Sequence, residues 1–575
     1  MNNYYITFIL CLVFLGIQAQ DLATKIPKTA NIVATIKGKN ITDLLSIHEL
    51  DNTKPGKKLL KEISRKSKLQ TSSISELGID FTASAYYFYQ VTDSITYHCS
   101  LIPLKDVKKF EAHFTNPQKV KKIGNLHAWY KFEKPVFLWD DSMVLYIEGK
   151  LTNKYFDQQA VKERNGLLTK PKEEYHYKDR VYYPFKNYDH KKEIEYAFIL
   201  NKAKTIFSNN SLEKSIVANK EYQKNYIKKA EVSVWVSDYQ NLYQSHILKD
   251  APRSHYDILL KQLSFSVYDR QSFAANLYLE DSEIKITATT HMGDEMGKSF
   301  KKMSNRKINS RFFKYINEQE MTAYLSYAIN TQAVLKEYPK IINRPLLGSY
   351  LQEMSFFIEL ISLVLDEEAI DKVIKGDILL VLYDTLEKQV DHTSYEYDDN
   401  FNRIETVKKR SEQVPDFQFL FSSEDTKLLH KLLDLGKKKE YVTYKNGAYI
   451  IKNKKLPFDI YVTIKNGVIA VGSSLERVLP TTVSISNTHK KILKNNNLSV
   501  FVDSKKMINL MSSIENNEQR KKKYQYLYDN VENLILTSSK IRNNAVTLEL
   551  KTTVPKADKN GLQYLFRFLE EMTKY

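Results

Sequence analysis

The chain has 575 residues, 42% of them hydrophobic and 12% aromatic, and its 86 Lys and Arg outnumber its 68 Asp and Glu to give a formal net charge of +18. This length exceeds one ordinary domain, and the apolar content excludes an intrinsically disordered chain. A basic surface is compatible with nucleic acid, anionic lipid headgroups or acidic glycans as partners, but the lysines are scattered, which favours a solvated surface.

The first nineteen residues have the pattern of a signal peptide. Residues 6–17 form an apolar run of twelve, too short to span a bilayer, and Ala19 is a small residue before the expected cleavage. This predicts a signal peptide at 1–19 and an exported protein, periplasmic or associated with the cell surface. Export makes nucleic acid the weakest of the partners.

The mature chain retains one cysteine, Cys99, because Cys11 lies in the leader. A disulfide within the mature chain and a cysteine-based zinc site are therefore excluded. No later segment reaches eighteen uncharged apolar residues, so no transmembrane segment is expected in the mature chain.

A strand followed at once by a capped helix begins four times along the chain. The opening strands are predicted at 30–36, 230–236, 321–327 and 498–502. The pattern predicts an α+β fold of tandem, degenerate β-α-β-β-α units, with antiparallel or mixed sheets covered by helices on one face. The predicted organisation is α+β unit 1 at 20–149, a polar Tyr-rich connector at 150–229, unit 2 at 230–319, unit 3 at 320–480 with a polar insertion at 387–413, and unit 4 at 481–575.

Apolar periodicity places the other elements. Alternation predicts strands at 79–89, 94–102, 126–132, 143–147, 263–267, 272–279, 283–290, 378–383, 417–421, 448–451, 460–464, 468–471, 534–537 and 545–552. Helical spacing predicts helices at 104–114, 332–338, 348–373, 424–435, 519–533 and 561–572. Asn466-Gly467 between two alternating runs predicts a tight hairpin. The closing strands at 145–149 and 469–473 match each other.

The chain resembles the exported Bacteroidetes family catalogued as domain of unknown function 4836. The resemblance is carried by the leader ending Ala19-Gln20-Asp21, and by Ile26-Pro27, Lys375-Gly376-Asp377-Ile378, residues 395–402 and Val414-Pro415-Asp416-Phe417. It extends over nearly all of the mature chain and implies an exported protein of this architecture. The family has no assigned activity, so the resemblance implies no site. Members are often lipid-anchored, but this leader lacks the required cysteine.

Three motifs invite a catalytic or metal-binding interpretation. Residues 293–299 resemble a phosphate-binding loop, but only three residues separate the two glycines and Asp294 and Glu295 would repel a phosphate, so a turn before a helix is favoured. Asp398, Asn400 and Asn402 have calcium-loop spacing but lack the glycine and the final glutamate, which favours a polar hairpin tip. His98 and Cys99 are strand neighbours on opposite faces, so His98 does not activate Cys99.

Two further groups lack the spacing of a metal or catalytic site. The connector contains Glu173, Glu174, His176, Asp179, Asp189 and His190 without metal-ligand spacing, which favours surface polarity. Gly472-Ser473-Ser474 lacks the flanking glycine of a nucleophile elbow. The sequence therefore assigns no catalytic, cofactor-binding or metal-binding residue, and no cofactor.

The sequence favours a non-enzymatic exported binding or structural scaffold of the cell envelope, with an envelope protein as a possible partner. Two alternatives remain open. One is an envelope hydrolase whose site is assembled from distant residues, and the other is a module that binds an anionic glycan or lipid. The insertions at 150–229 and 387–413 are the first places where we expect a specific function.

Overall fold

The structure is a computed structural model that describes residues 21–114, 120–131, 134–167, 175–177, 180–182, 186–237, 270–342, 366–397, 403–452, 458–483 and 485–572. Its strands in the N-terminal half are β1 (Ile32–Ile36), β2 (Ala85–Val91), β3 (Ile95–Pro103), β4 (Val120–Ile123), β5 (Leu126–Lys131), β6 (Lys134–Trp139), β7 (Met143–Leu151), β8 (Tyr175–Tyr177), β9 (Arg180–Tyr182), β10 (Val232–Val236), β11 (Arg270–Leu279) and β12 (Glu283–Met292). Those in the C-terminal half are β13 (Ala323–Ala328), β14 (Asp377–Tyr397), β15 (Arg403–Ser422), β16 (Val442–Lys445), β17 (Ala448–Ile451), β18 (Ile460–Lys465), β19 (Val468–Gly472), β20 (Leu498–Val502), β21 (Leu534–Ser538) and β22 (Ala545–Thr553).

The α-helices follow the same order along the chain. In the N-terminal half they are α1 (Gly38–Leu44), α2 (Ile47–Asn52), α3 (Lys54–Ser67), α4 (Val107–Ala112), α5 (Asn153–Phe156), α6 (Gln159–Arg164), α7 (Lys186–Ser208), α8 (Lys220–Asn225) and α9 (Asp294–Met303). In the C-terminal half they are α10 (Thr331–Ile342), α11 (Glu367–Val373), α12 (Lys427–Lys438), α13 (Leu475–Val478), α14 (Asn487–Asn495), α15 (Ser504–Ser513), α16 (Glu518–Asn530) and α17 (Gly561–Met572). None of these described helices combines the length and the apolarity needed to cross a bilayer.

The chain forms two compact bodies. The first body contains the described residues up to 237, together with 271–281 and 558–572, and the second body contains residue 270 and the described residues from 282 to 557. The fold is thus α+β, with a large antiparallel sheet and helices in each body.

Strands follow the same spatial order in the two bodies. In the first body the order is β11-β10-β1-β2-β3-β7-β6-β5-β4, with every neighbouring pair antiparallel. In the second body the order is β21-β20-β13-β14-β15-β19-β18-β17-β16, also antiparallel, and β22 and β12 continue it beyond β21. The four predicted opening strands are therefore neighbours in pairs, β1 with β10 and β13 with β20.

The first body includes one helix that lies far along the chain from its other elements. Helix α17, at the C-terminal end, belongs to the first body, where the Asn560 side chain before it donates to the carbonyl oxygen of Leu44 at 2.7 Å. Helix α9 belongs to the second body, where Lys302 forms a 2.7 Å ion pair with Glu337 of α10. Contacts in the first body thus join the last described helix to elements near the start of the chain.

One face of the second body's sheet carries its main core. Tyr324, Leu379, Val381, Leu420 and Phe501 point to this face and pack with the loop residues Phe312, Phe313 and Ile316. Because side chains alternate along a strand, their neighbours point to the opposite face. There one paired residue from each strand forms an apolar row across the sheet: Phe419, Leu380, Leu325, Val500, Leu536, Leu550 and Ile286.

Local sequence signals predicted many of these elements. The hairpin at Asn466-Gly467 is confirmed, since both residues have positive φ (53° and 73°) and join β18 to β19. The predicted insertion at 387–413 continues β14 and β15 as one paired ribbon that reaches Tyr397 opposite Arg403. The connector contains α7, whose Ile199, Ala203 and Ile206 belong to the first body's core, so its helical content is larger than its polar composition indicated. The strand predicted at 263–267 lies outside the described residues.

Two adjacent leucines on β14 test the assignment of the two sheet faces. Leu379 is fully buried and Leu380 is 41% exposed on the opposite face. We expect Leu379→Ala to lower the free energy of unfolding by about 3 kcal/mol, because it opens a cavity in the core. Leu380→Ala is the matched control and should cost less than about 1.5 kcal/mol, because much of its side chain already contacts solvent. Denaturant titration measures both, and equal losses would contradict the assignment.

Candidate binding surface

Helix α12 lies on the sheet face opposite the main core of the second body. Its Leu433 packs in a separate cluster with Val442, Val462 and Ile469. Ile469 follows Val468 and precedes Ala470, both of which belong to the main core, so α12 covers the other side of β19. The helix is thus held by apolar contacts along one of its sides.

The other side of α12 presents three leucines outward. Leu428, Leu432 and Leu435 are 52%, 56% and 52% exposed. Their spacing of four and three residues places them in one line along the helix. A contiguous apolar stripe on an exposed helix is a common mark of an interaction site.

Lysines border this leucine stripe. Lys427, Lys431 and Lys438 are exposed and lie beside it on the helical projection. Together with Leu428, Leu432 and Leu435 they define what we call the leucine–lysine surface. The segment 427–445 holds six lysines against two acidic residues, which leaves a charge of +4. Asp434 is paired with Lys437 at 3.2 Å, so its charge is locally compensated.

Two tyrosines that follow α12 in the chain are also exposed. Tyr441 is 64% exposed and Tyr444 is 57% exposed. The Tyr444 ring lies 4.8 Å from the ring of Tyr449, and the Lys437 ammonium lies 5.2 Å and 4.8 Å from these two ring centroids. The Tyr449 hydroxyl is 3.2 Å from Nδ1 of His430 on α12. These contacts fix the position of the helix relative to β16 and β17.

The corresponding helix in the first body has a different surface. Helix α4 follows β3 as α12 follows β15, but it is six residues long while α12 has twelve. The Phe110 ring lies 5.6 Å from the Trp139 ring, and Phe114, just after the helix, stacks on Trp139 at 5.1 Å. The Trp139 indole in turn donates to Glu111 at 2.8 Å. Its aromatic residues are thus directed into the body, so the exposed leucine stripe distinguishes α12 from its counterpart.

Sequence reasoning predicted the helix but missed its outward face. Leucines at 428, 429, 432, 433 and 435 spread over roughly 160° of the helix, wider than the ~100° stripe of a helix buried on one side. This width indicates that some leucines of α12 stay exposed, because contact with one sheet face does not cover so broad an arc.

A buried ionic network joins β15 to the segment after β19. The guanidinium of Arg477 donates to Oδ2 of Asp416 from Nε at 2.9 Å and from Nη2 at 2.7 Å, and it forms a 2.6 Å ion pair with Glu320. It also lies 3.9 Å from the centroid of the Tyr383 ring. The hydroxyl of Ser473, in the segment that lacks the glycine of a nucleophile elbow, donates to Oδ1 of Asp416 and so takes part in the network. The carboxylate of Asp416 thus links the Ser473 hydroxyl to the guanidinium of Arg477, which is a structural role for this serine.

A buried histidine lies at the start of α14. His489 contacts the Tyr324 hydroxyl through Nδ1 at 3.2 Å, and its Nε2 is 3.6 Å from Glu318. Its ring meets Phe501 edge to face at 4.5 Å. Burial lowers the pKa of His489, and the nearby carboxylate of Glu318 offsets part of this effect.

Two motifs singled out in the sequence have structural roles. Gly293 is the N-cap residue of α9, and a Cβ at Gly297 would lie 2.4 Å from the side chain of Asn544, so close packing requires that glycine. The His98 ring contacts the Tyr87 hydroxyl at 2.8 Å. Cys99 points to the opposite face and is fully buried, and this burial raises the pKa of its thiol. The structure does not bring His98 and Cys99 together as a reactive pair.

The remaining motifs lie partly outside the described residues. This applies to Asp398, Asn400, Asn402, Glu173, Glu174 and Asp179, and to the side chains of His176 and Asp189. His190 is described, and it contacts Glu193 at 3.0 Å and the carbonyl oxygen of Asn165 at 2.8 Å. Within the described part of the chain, no group of three His, Cys, Asp or Glu residues could hold a metal ion.

A shallow groove of about 610 Å³ in the first body is lined by His48, Asp51 and three serines. The hydroxyl of Ser72 donates to Glu76 at 2.5 Å, those of Ser73 and Ser75 share a 2.8 Å bond, and Asp51 accepts from the amide of Ile74 at 2.8 Å. Each of these groups bonds within or beside the serine loop. The groove therefore contains residue types found in hydrolases without the arrangement of a catalytic triad.

Fold and surface together define an α+β protein with one strand order used twice and a leucine–lysine surface on the second body. No protein-family model and no curated protein matches the chain. Two solved structures of TP0453 are detected. Crystal form I is 7% identical over 48% of this chain and 81% of that chain, and crystal form III is 8% identical over 51% and 84%, each with a TM-score of 0.23. A similarity of this size carries no argument about fold or function.

Asp416→Asn tests the network around Arg477. The change leaves a largely buried guanidinium with one carboxylate in place of two, and we expect a loss of about 3 kcal/mol in the free energy of unfolding. Glu368→Gln breaks the exposed 3.0 Å pair with Lys372 and is the control. It should cost less than about 0.5 kcal/mol. Urea titration compares the two, and similar small losses would show that the network is dispensable.

Acidification tests the role of His489. The lowered pKa means that the folded protein keeps this ring neutral while the unfolded chain protonates it below about pH 6.5. The unfolded state then binds more protons, so this contribution is complete above about pH 6.5 and is lost as the pH falls. We expect the melting temperature of His489→Gln to fall less than that of wild type when the pH is lowered from about 7.5 to about 5.5. Thermal scans at each pH measure this difference. Parallel pH profiles for the two proteins would contradict this assignment.

Proposed function

We propose that this chain is an exported, non-enzymatic binding protein of the cell envelope that docks a partner through the leucine–lysine surface. The observation that carries the proposal is the line of Leu428, Leu432 and Leu435, each about half exposed on a helix otherwise fixed in the fold. Exposed apolar stripes of this kind are favourable when a partner removes them from water.

Export is part of the proposal and rests on the leader at 1–19. Asp21, two residues beyond the expected cleavage, caps the 3-10 helix Leu22–Lys25 with its carboxylate and accepts a 2.5 Å hydrogen bond from the Tyr86 hydroxyl. Leu22, Ala23 and Ile26 are buried in the first body's core. A cleavage after Ala19 would leave these contacts intact.

The repeated architecture supports a scaffold role. The shared strand order of the two bodies supports tandem β-α-β-β-α units, with the opening strands β1 and β10 in one sheet and β13 and β20 in the other. Membership of the exported Bacteroidetes family of domain of unknown function 4836 is proposed on the sequence resemblance. Repeated scaffolds present surfaces to partners, in keeping with a binding function.

An envelope hydrolase is the alternative. The groove beside His48 supplies the matching residue types, but the hydroxyls of Ser72, Ser73 and Ser75 are engaged in local hydrogen bonds. Asp51 is likewise bound to a backbone amide. The geometry therefore favours a structural role for this loop.

Site-specific photo-crosslinking tests the proposal. We expect a benzophenone amino acid in place of Leu432 to give adducts when the protein is irradiated in whole cells, because this position faces the partner. The same amino acid in place of Leu569, 51% exposed on α17, is the control and should give none above background. Intact-mass analysis of the recovered protein should show a chain that begins at Gln20.

Three results would overturn the proposal. They are retention of residues 1–19 on a cytoplasmic protein, equal crosslinking at positions 432 and 569, and turnover in a broad hydrolase screen that His48→Ala abolishes.

A further inference from the structure

We infer that the leucine–lysine surface binds an anionic lipid bilayer, with the leucines of α12 entering the interface and the lysines contacting headgroup phosphates. This inference rests on the proposed function, because it names the partner of the same surface. It concerns peripheral binding to a membrane surface, which differs from crossing the membrane.

The leucine stripe has the geometry of an interfacial helix. Leu428 and Leu435 are seven residues apart, so the stripe extends roughly 10 Å along the helix axis. Its three side chains point to one side, while Leu429 and Leu433 on the inner side pack against the sheet. A flat interface could therefore take up all three leucines at once, to the shallow depth at which amphipathic helices bind.

The charge on this surface complements anionic headgroups. Lys427, Lys431 and Lys438 are exposed beside the leucines, and their long side chains can reach phosphate groups while the leucines are immersed. The acidic Asp434 is paired with Lys437, which leaves the net charge of the segment positive. Juxtamembrane lysines are attracted to anionic lipid, and this attraction weakens beyond a Debye length.

A second copy of the chain is a poorer occupant. In a two-fold symmetric dimer the same patch faces itself. The lysines beside the stripe would then meet the identical lysines of the other copy, and like charges brought together oppose association. A bilayer with anionic headgroups has the opposite charge and no such conflict.

Vesicle flotation tests the inference with the full mature chain. We expect wild type to float with vesicles of equimolar phosphatidylglycerol and phosphatidylcholine but not with vesicles of phosphatidylcholine alone. Raising the salt from about 0.1 M to about 0.5 M should weaken binding, because the Debye length shortens. Equal flotation with both vesicle types, or none with either, would overturn the inference.

Two variants separate the leucine and lysine contributions. Leu428→Gln/Leu432→Gln/Leu435→Gln keeps helix-forming residues and should lower the affinity for anionic vesicles about tenfold or more. Lys427→Glu/Lys431→Glu should reduce it by a similar factor. Both variants should keep the wild-type melting temperature, because they change exposed side chains. Unchanged vesicle binding by the leucine variant would overturn the inference.

Matched controls use exposed residues elsewhere. Met511→Gln/Ile514→Gln/Leu569→Gln removes three apolar side chains that are 40%, 53% and 51% exposed. Lys58→Glu/Lys61→Glu changes two exposed lysines of the amphipathic helix α3. Both controls should bind anionic vesicles like wild type. If they lose binding as strongly as the α12 variants, net charge and general apolarity explain the binding and the inference is wrong.

Further readouts distinguish the other occupants. Retention of wild type and the leucine variant alike on dextran sulfate resin, without vesicle binding, would identify a soluble polyanion and overturn the inference. A dimer by light scattering that the leucine variant converts to monomer, again without vesicle binding, would do the same. A protein adduct at position 432 without vesicle binding would refute the lipid partner and leave the proposed function standing. If position 432 gives no adduct and the protein does not bind vesicles, the proposed function and the lipid inference are both refuted.

Discussion

The pairing of the opening strands at the centre of each sheet is the constraint on which the rest of the structure depends. Strands β1 and β13 each have neighbours on both edges, β10 and β2 for the first, β20 and β14 for the second. A buried strand needs partners on both edges, because unpaired backbone groups away from water are costly. A later segment of the chain, 230–236 or 498–502, must therefore return to the first strand of its sheet before the sheet is complete.

This long-range pairing explains which features could be predicted from sequence. Helix α17 was predicted at its observed bounds, since its apolar spacing is regular and Gly561 begins it. The Asn466-Gly467 hairpin was predicted because two residues determine a turn of this type. That β10 lies beside β1, nearly two hundred residues away, has no local signal, because alternation shows only that a strand has a buried face. The four openings were therefore recognised individually, while their arrangement as two pairs came from the structure.

The candidate surface illustrates a second limit of sequence reasoning. Periodicity identified α12 as a helix with apolar Leu428, Leu429, Leu432 and Leu433, but it did not show which of these leucines a neighbouring element would cover. In the fold, α12 lies as a single layer on the sheet, and one layer can bury only one side of a helix. Leu433 is buried for this reason, while Leu432, its neighbour, remains more than half exposed. The leucines cover a wider part of the helix surface than one sheet face can contact, so the outer leucines remain in solvent.

Charge is used in two different ways in the second body. Arg477 is largely removed from water and is satisfied by Asp416, Glu320 and the Tyr383 ring, an arrangement that orders the core side of the sheet. On the opposite face, the lysines beside the leucine stripe remain exposed, where isolated charges add little to stability.

The two bodies share a strand order, so the order itself does not account for the exposed surface of α12. Functional differences are expected where matched elements diverge. Helix α12 is twice as long as α4, and its added length carries leucines and lysines outward where α4 directs aromatic rings into its body. Exposed apolar residues give the fold little stability, so the stability of the second body does not account for a leucine stripe beside a row of lysines.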